Sequence, residues 1–198
     1  IAYLKTEITK AYGENPALSP DFARIINTKN WLRLANLIEE EKVIFGGQTD
    51  IENNYIAPTL IEENDMESLL MKEEIFGPLL PILSYEKEED IKTVISKFEK
   101  PLALYVFSEN KRFSEKIIKQ YSFGGGCIND TVVHFSNKRL PFGGVGHSGI
   151  GAYHGQMSFD TFSHHKAIVK KGNWLDLPMR YAPYKDKLAA IKRILDWI

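Results

Sequence analysis

The sequence predicts an α/β fold with parallel strand pairing. Three observations carry that prediction. Short apolar runs alternate with helix-period segments over 79–128, in the order strand, helix, strand, helix, strand. The run LALYVF (102–107) is almost wholly apolar, as a strand covered on both faces must be. Gly and Pro punctuate the joints, at Gly77-Pro78 and Gly124–Gly126.

The elements follow in order. Leu4, Ile8 and Tyr12 recur at helical spacing, and Gly13 ends that helix. Pro16 is expected to bar its restart, and Ser19-Pro20-Asp21 to offer a new start. Residues 28–41 read as a stronger helix, capped by Thr28, with Trp31, Leu34, Ala35, Leu37 and Ile38 on one face. KVIFGG (42–47) is a short strand closed by glycines, and YIAPTLI (55–61) is an extended piece that Pro58 keeps off a central ladder position or places where no amide donor is needed. Residues 87–98 form a helix with Val94, Ile95 and Phe98 inward and Glu88, Glu89 and Asp90 in the first turn, where the helix dipole favours them. Residues 111–121 form another, with Phe113, Ile117, Ile118 and Tyr121 inward. A strand is expected at 166–171 and an amphipathic helix at 185–198, with Leu188, Ile191, Ile194, Leu195 and Ile198 on one side.

The 198 residues are 43% hydrophobic and 26% charged with net charge −1, which suits a soluble core and gives no electrostatic case for nucleic acid. No apolar run approaches the roughly 20 residues of a membrane span. One cysteine makes no internal disulfide, so a reducing, cytoplasmic setting is expected. The chain opens on Ile1-Ala2-Tyr3, already helical in pattern and without a methionine, and is expected to be a piece of something longer.

Chemistry centres on EEIFGPLLPI (73–82). Gly77 is free to take backbone angles closed to other residues and Pro78 fixes its own φ, so the turn aims Glu74 and Phe76 in set directions. A carboxylate can accept from the vicinal hydroxyls of a ribose, and an aromatic face can pack on a flat ring. The alternative is a surface acidic pair before a buried strand, with Phe76 in the core. The string Gly144-x-Gly146-x-x-Gly149 matches a dinucleotide fingerprint but lacks the strand before it, the helix after it and the acidic residue roughly 20 positions on. Cys127 follows three glycines, with no histidine or lysine within five residues, and reads as a small hydrophobe at a strand start. His164-His165 would point to opposite faces of a strand and lack companions, so no metal site is expected. His147 and His154 read as structural or pocket-edge residues.

Seven blocks in order, GENPALSPDFARII, YIAPTLI, EEIFGPLLPI, KPLALYVFS, IND, LPFGGVGHSG and SFDTFSHHK, resemble the C-terminal part of an aldehyde dehydrogenase. KPLALYVFS, VGHSGIGAYHG and MRYAPY are similar to the class-3 branch, which handles aromatic and fatty aldehydes. The resemblance implies the C-terminal part of a catalytic domain over 1–165, with the Rossmann half absent, and an oligomerisation strand and tail over 166–198. It implies NAD or NADP as cofactor, with Glu74 and Phe76 at the nicotinamide ribose and ring. It implies an aldehyde tunnel lined by Val132, Phe135 and Ser136, with Phe142 and His154 close by. The family's G-Q-x-C nucleophile motif and its general-base glutamate have no counterpart here, so no catalytic residue is expected in this chain and the isolated chain is expected to be inactive. A homodimer through 166–198 is expected. The alternative function is a non-catalytic assembly module that keeps the fold and dimer surface.

Overall fold

The computed structural model describes residues 1–174, 176–184 and 187–196, apart from the side chains of Met179, Ala190 and Ile194. The described chain divides into two compact units: residues 1–134 with 143–151, and residues 135–142 with 152–198.

The first unit opens with helix α1 (Ala2–Tyr12), closed by the Gly13 amide on the Thr9 carbonyl. The helix does not restart at Pro16, which heads only a single 3-10 turn, Pro16–Leu18, whose amide at Ala17 donates to the Asn15 side chain. Ser19-Pro20-Asp21 starts no helix. Helix α2 (Thr28–Ala35) is capped by Asn27, whose Oδ1 accepts from the Asn30 amide at 2.9 Å, and not by Thr28, whose hydroxyl turns to Asn54. It stops at Ala35 instead of reaching 41. The amides of Leu37 and Ile38 bond three residues back, to Leu34 and Ala35, and this tighter winding carries Leu37 into the core.

The core is built where α2 meets a three-stranded sheet. Strands β1 (Val43–Phe45), β4 (Thr59–Glu62) and β5 (Leu79–Ile82) lie in the order β1-β4-β5, the first pair antiparallel and the second parallel. The expected single extended piece at 55–61 breaks at Pro58: β3 (Tyr55–Ile56) forms a hairpin with β2 (Thr49–Asp50), and β4 begins after the proline. Pro81 is tolerated in β5 because that strand is at the sheet edge. Leu34, Leu37, Ile56, Ile61, Leu79 and, from α3 (Leu69–Lys72), Leu70 form one buried cluster, with Ile25, Trp31, Ile38 and Ile75 against it. Trp31 Nε1 donates to the Tyr55 carbonyl at 2.8 Å and ties α2 to β3.

Glu63, at the end of β4, is only 1% exposed. Burial alone would raise its pKa, but the neighbouring Ser68 hydroxyl, the Asp65 amide and Lys42 outweigh that and hold it below the usual carboxylate range. Lys42 Nζ lies 3.3 Å from Glu63 Oε1 and 3.0 Å from Glu39.

Further along, β6 (Ala103–Val106) pairs in parallel with β7 (Gly125–Ile128) across helix α5 (Lys111–Gln120). Gly126 is required there, since a Cβ would meet the Leu104 carbonyl oxygen at 2.0 Å. The alternation over 79–128 therefore yields two sheets: β5 pairs with β4, and β6 pairs with β7. Helix α4 (Glu88–Ile95) is held at its start by Asp90, which accepts from the Lys87 amide, and ends before Phe98. Residues 144–149 make a tight turn, with Gly146 bridged to Gly149, and no helix opens from it.

Short helix α6 (Val133–Ser136) carries the chain from the first unit into the second, which holds α7 (Gly155–Thr161), a 3-10 turn at Pro178–Arg180 and α8 (Leu188–Leu195). The strand expected at 166–171 is not formed. A strand needs a ladder partner, the described residues offer none, and Ile168 and Val169 are 77% and 94% exposed. His164 and His165 lie in the same irregular stretch and not in a strand. In the expected tail helix, Leu188 and Leu195 are exposed and Ile191 is half-buried; the Ile194 side chain, Ile198 and residues 185–186 lie outside the described residues. Among the described residues no helix is long and apolar enough to cross a membrane.

Candidate functional site

The segment between α3 and β5 is gripped at alternate positions. Arg33 Nη2 donates to the Ile75 carbonyl at 2.6 Å, and the Ile75 side chain packs on the core cluster. Gly77 lies against the fully buried Leu34, close enough that a Cβ would meet both Leu34 Cδ atoms at 2.6 Å. The Pro78 carbonyl accepts from the Thr59 amide at 2.8 Å, which continues the β4–β5 ladder. Two consecutive residues of α2, Arg33 and Leu34, thus hold positions 75 and 77. The positions between and before them point out.

Phe76 is 79% exposed and Glu74 is exposed, and the Glu74 carboxylate has no hydrogen bond or ion pair among the described residues. Phe76 lines an open cleft of about 570 Å³ with Tyr12, Phe22, Arg24, Asn30 and Pro78. The Arg24 guanidinium stacks 5.1 Å from the Tyr55 ring. The alternative of a core Phe76 is excluded by its exposure.

The special backbone angle falls on a different residue from the one expected. Gly77 has no positive φ; Phe76 carries it, at 46°. Holding a non-glycine residue in that region costs about 1–3 kcal/mol and persists only where the surroundings over-determine it. A hydrogen bond from a charged donor, such as that from Arg33, contributes about 1.5–3 kcal/mol, enough to offset it. Among the described residues four other non-glycine residues have positive φ: Asn54, Asn129, Val132 and His154. The two asparagines tolerate this region; Val132 and His154, like Phe76, are residues that the sequence singled out.

Val132 is the centre of a three-residue turn closed by the Val133 amide on the Thr131 carbonyl at 2.6 Å. With φ at 62° this is the rarer, strained hand of such turns. In the second unit, Phe135, Phe142 and His154 come together. Phe135 meets Phe142 edge-on at 4.9 Å, and both rings neighbour His154, at 5.7 and 6.0 Å. Tyr153, which the sequence reading passed over, completes the cluster at 5.7 Å from Phe142 and 4.5 Å from His154. Its adjacency to His154 and its antiparallel bridge to Phe142, with both hydrogen bonds at 2.9 Å, place it there. Ser136 is exposed and outside these ring contacts.

Cys127 is half-buried, and its Sγ lies 3.6 Å from His134 Nδ1. Sequence distance hid this neighbour: the turn after β7 folds seven residues back onto the strand. His147 is exposed, with Nδ1 3.2 Å from Glu99. Among the described residues no group of three or more His, Cys, Asp and Glu side chains could hold a metal ion.

Comparison with known proteins identifies the family. Residues 5–168 match the model of the aldehyde dehydrogenase family. The 4,4'-diaponeurosporen-aldehyde dehydrogenase of Staphylococcus aureus is 44% identical over 97% of this chain and 42% of its own length. Aldehyde dehydrogenase family 3 member A2 of Rattus norvegicus is 48% identical over 85% of this chain and 35% of its own. A substrate-bound structure of Staphylococcus aureus AldH superimposes with a TM-score of 0.87 at 43% identity, covering 98% of this chain and 43% of that one. An NAD+ complex of a Mycobacterium tuberculosis aldehyde dehydrogenase does so at 0.69 with 26% identity, over 82% and 34%. The chain spans roughly two fifths of the length of the curated relatives it matches. It belongs to the aldehyde dehydrogenase family.

Proposed function

We propose that residues 73–78 form the nicotinamide-ribose wall of an NAD(P)-dependent aldehyde dehydrogenase that oxidises aldehydes to carboxylic acids. The observation that carries the reading is the turn itself: the Arg33 bond and the Gly77 contact with Leu34 hold the strained Phe76 in place, while Glu74 stays exposed and unpaired among the described residues. Those residues fit the group. Glu74 would accept from the ribose hydroxyls, and the exposed Phe76 face would pack on the flat ring. When bound, the nicotinamide nucleotide supplies the hydride acceptor. The relatives' names support an aldehyde substrate.

The ring cluster of Phe135, Phe142, Tyr153 and His154 supports an apolar aldehyde, with Val132 and Ser136 as further tunnel residues. Oxidation also needs a thiolate to hold the aldehyde and a base to deliver water. The reading assigns both outside these 198 residues, keeps Cys127 structural, and gives the isolated chain no activity. The exposed Ile168, Val169, Leu188 and Leu195 support a homodimer through 166–198, with a second copy supplying the missing strand partner. The single cysteine supports a cytoplasmic setting.

The test is Glu74→Gln in the full gene product. Loss of a charged hydrogen bond should weaken cofactor binding or slow hydride transfer about tenfold or more, at ~1.4 kcal/mol per decade. Thermal stability should be unchanged, because the carboxylate is exposed. Normal affinity and normal hydride transfer in this variant would reject the assignment.

A further inference from the structure

We propose that Arg33 is the positioning residue of the 74–76 turn, acting through one peptide plane. The inference rests on the reading of Glu74 and Phe76 as cofactor ligands. The Ile75 carbonyl belongs to the peptide that joins Ile75 to Phe76. Turning that plane over would reverse the carbonyl and change ψ of Ile75 and φ of Phe76 together, which is the cheap route for Phe76 to leave its positive φ of 46°. Arg33 blocks that route by donating to the carbonyl at 2.6 Å.

The guanidinium is committed to this task. That bond is its one side-chain hydrogen bond among the described residues, no described carboxylate pairs with it, and its Nη1 is buried with no partner. A part-buried guanidinium with one nitrogen kept from water and no counter-charge among the described residues is an unfavourable arrangement for stability alone. Its rigid fork, mounted on α2 beside Leu34, suits it to fixing a carbonyl. Arg33 touches neither ring nor ribose in this reading. It sets the fraction of molecules in which Glu74 and Phe76 are presented; a molecule with the plane turned over binds without those two contacts, so apparent affinity falls toward that of a site lacking them.

The experiment uses the full gene product that carries this chain, with Arg33→Met, Arg33→Lys, Glu74→Gln and the Met–Gln double variant. Crystal structures of the cofactor-free parent and Arg33→Met read the Ile75–Phe76 peptide plane, and calorimetric titration with NAD+ and NADP+ reads affinity. Arg33→Met is expected to turn or disorder that plane and to weaken binding about tenfold, and Arg33→Lys to recover part of each, since an ammonium can donate to the same carbonyl. The double variant should fall at least threefold short of the product of the single effects, because both act on one presented group. An unchanged plane with unchanged φ at Phe76 in Arg33→Met overturns the proposal. So does a turned plane with affinity within twofold of the parent while Glu74→Gln weakens it, and so do fully multiplicative effects. If Glu74→Gln leaves affinity intact, the cofactor reading is what fails, and the peptide plane alone decides whether Arg33 fixes the turn.

Discussion

Gly77→Ala tests how tightly the presenting turn is held. The new Cβ would lie 2.6 Å from both Leu34 Cδ atoms, and Leu34 is fully buried, so it has no free space to move into. Gly77 has no positive φ, so alanine is compatible with its backbone and the perturbation is steric alone. Overpacking of this kind costs about 1–3 kcal/mol. For a chain of this size each kcal/mol lowers Tm by roughly 2–4 °C, which predicts a fall of about 2–12 °C. The matching perturbation, Leu34→Ala, opens a cavity and costs about 2–5 kcal/mol by itself. In that background the alanine methyl at 77 has room, so the double variant should be more stable than the sum of the single losses by about 1–3 kcal/mol. Thermal unfolding of the four proteins, followed by circular dichroism at one concentration, measures this coupling. Equal cost for Gly77→Ala in both backgrounds would refute the claim that Leu34 dictates glycine at this position.

Three further outcomes are expected. Glu63 has a folded-state pKa below its ordinary value of 4.5, so its stabilisation is fully present above about that pH and is lost as pH falls through the depressed value; Glu63→Gln should flatten the acid side of a Tm-against-pH curve, and an unaltered slope would count against the pairing with Lys42. Val132→Gly should relieve a left-handed strain of about 1–2 kcal/mol, less about 0.5–1 kcal/mol of added chain entropy, and so raise Tm slightly instead of lowering it. Leu188→Glu with Leu195→Glu should shift sedimentation at tens of micromolar toward monomer, and a parent protein that is already a sharp monomer would remove the basis for a dimer through 166–198.

Periodicity exposed the helices well, because a buried stripe such as Trp31, Leu34, Leu37 and Ile38 must repeat whatever the chain does elsewhere. Their ends were less legible. Asn27 caps α2 and Thr28 does not, since two adjacent cap-forming residues compete and the choice is made by Asn54, a residue distant in sequence. Strand partners were hidden for a related reason. A run of apolar residues says that it is buried but not beside what, so a five-element alternation gave no warning that β5 would pair backwards to β4. The Cys127–His134 contact and the place of Tyr153 depend on irregular turns after β7 and before α7, where side-chain period carries no information.

Three of the candidate site residues share a feature that the sheet residues lack, and it is backbone strain. Of the five non-glycine residues with positive φ among the described residues, two are asparagines, and the other three, Phe76, Val132 and His154, are all candidate site residues by motif and resemblance. A sequence free to relax would not keep a phenylalanine, a valine and a histidine in that region, at about 1–3 kcal/mol each, on a surface where asparagine or glycine serves. Each is held by its surroundings. Phe76 lies between the Arg33 bond and the Gly77 contact; Val132 is closed in a three-residue turn; and His154 follows a two-bond bridge, with its amide donating to Ser158 Oγ at 2.9 Å at the start of α7. A purely structural scaffold gains nothing from such positions, whereas a site that must present a particular side chain at a particular angle does. The distribution of backbone strain therefore weighs against the non-catalytic assembly module, on grounds independent of the family's chemistry, and Val132→Gly separates the two readings. In a scaffold the added stability would come without loss; in the full enzyme it should come with weaker aldehyde binding, read as a raised KM.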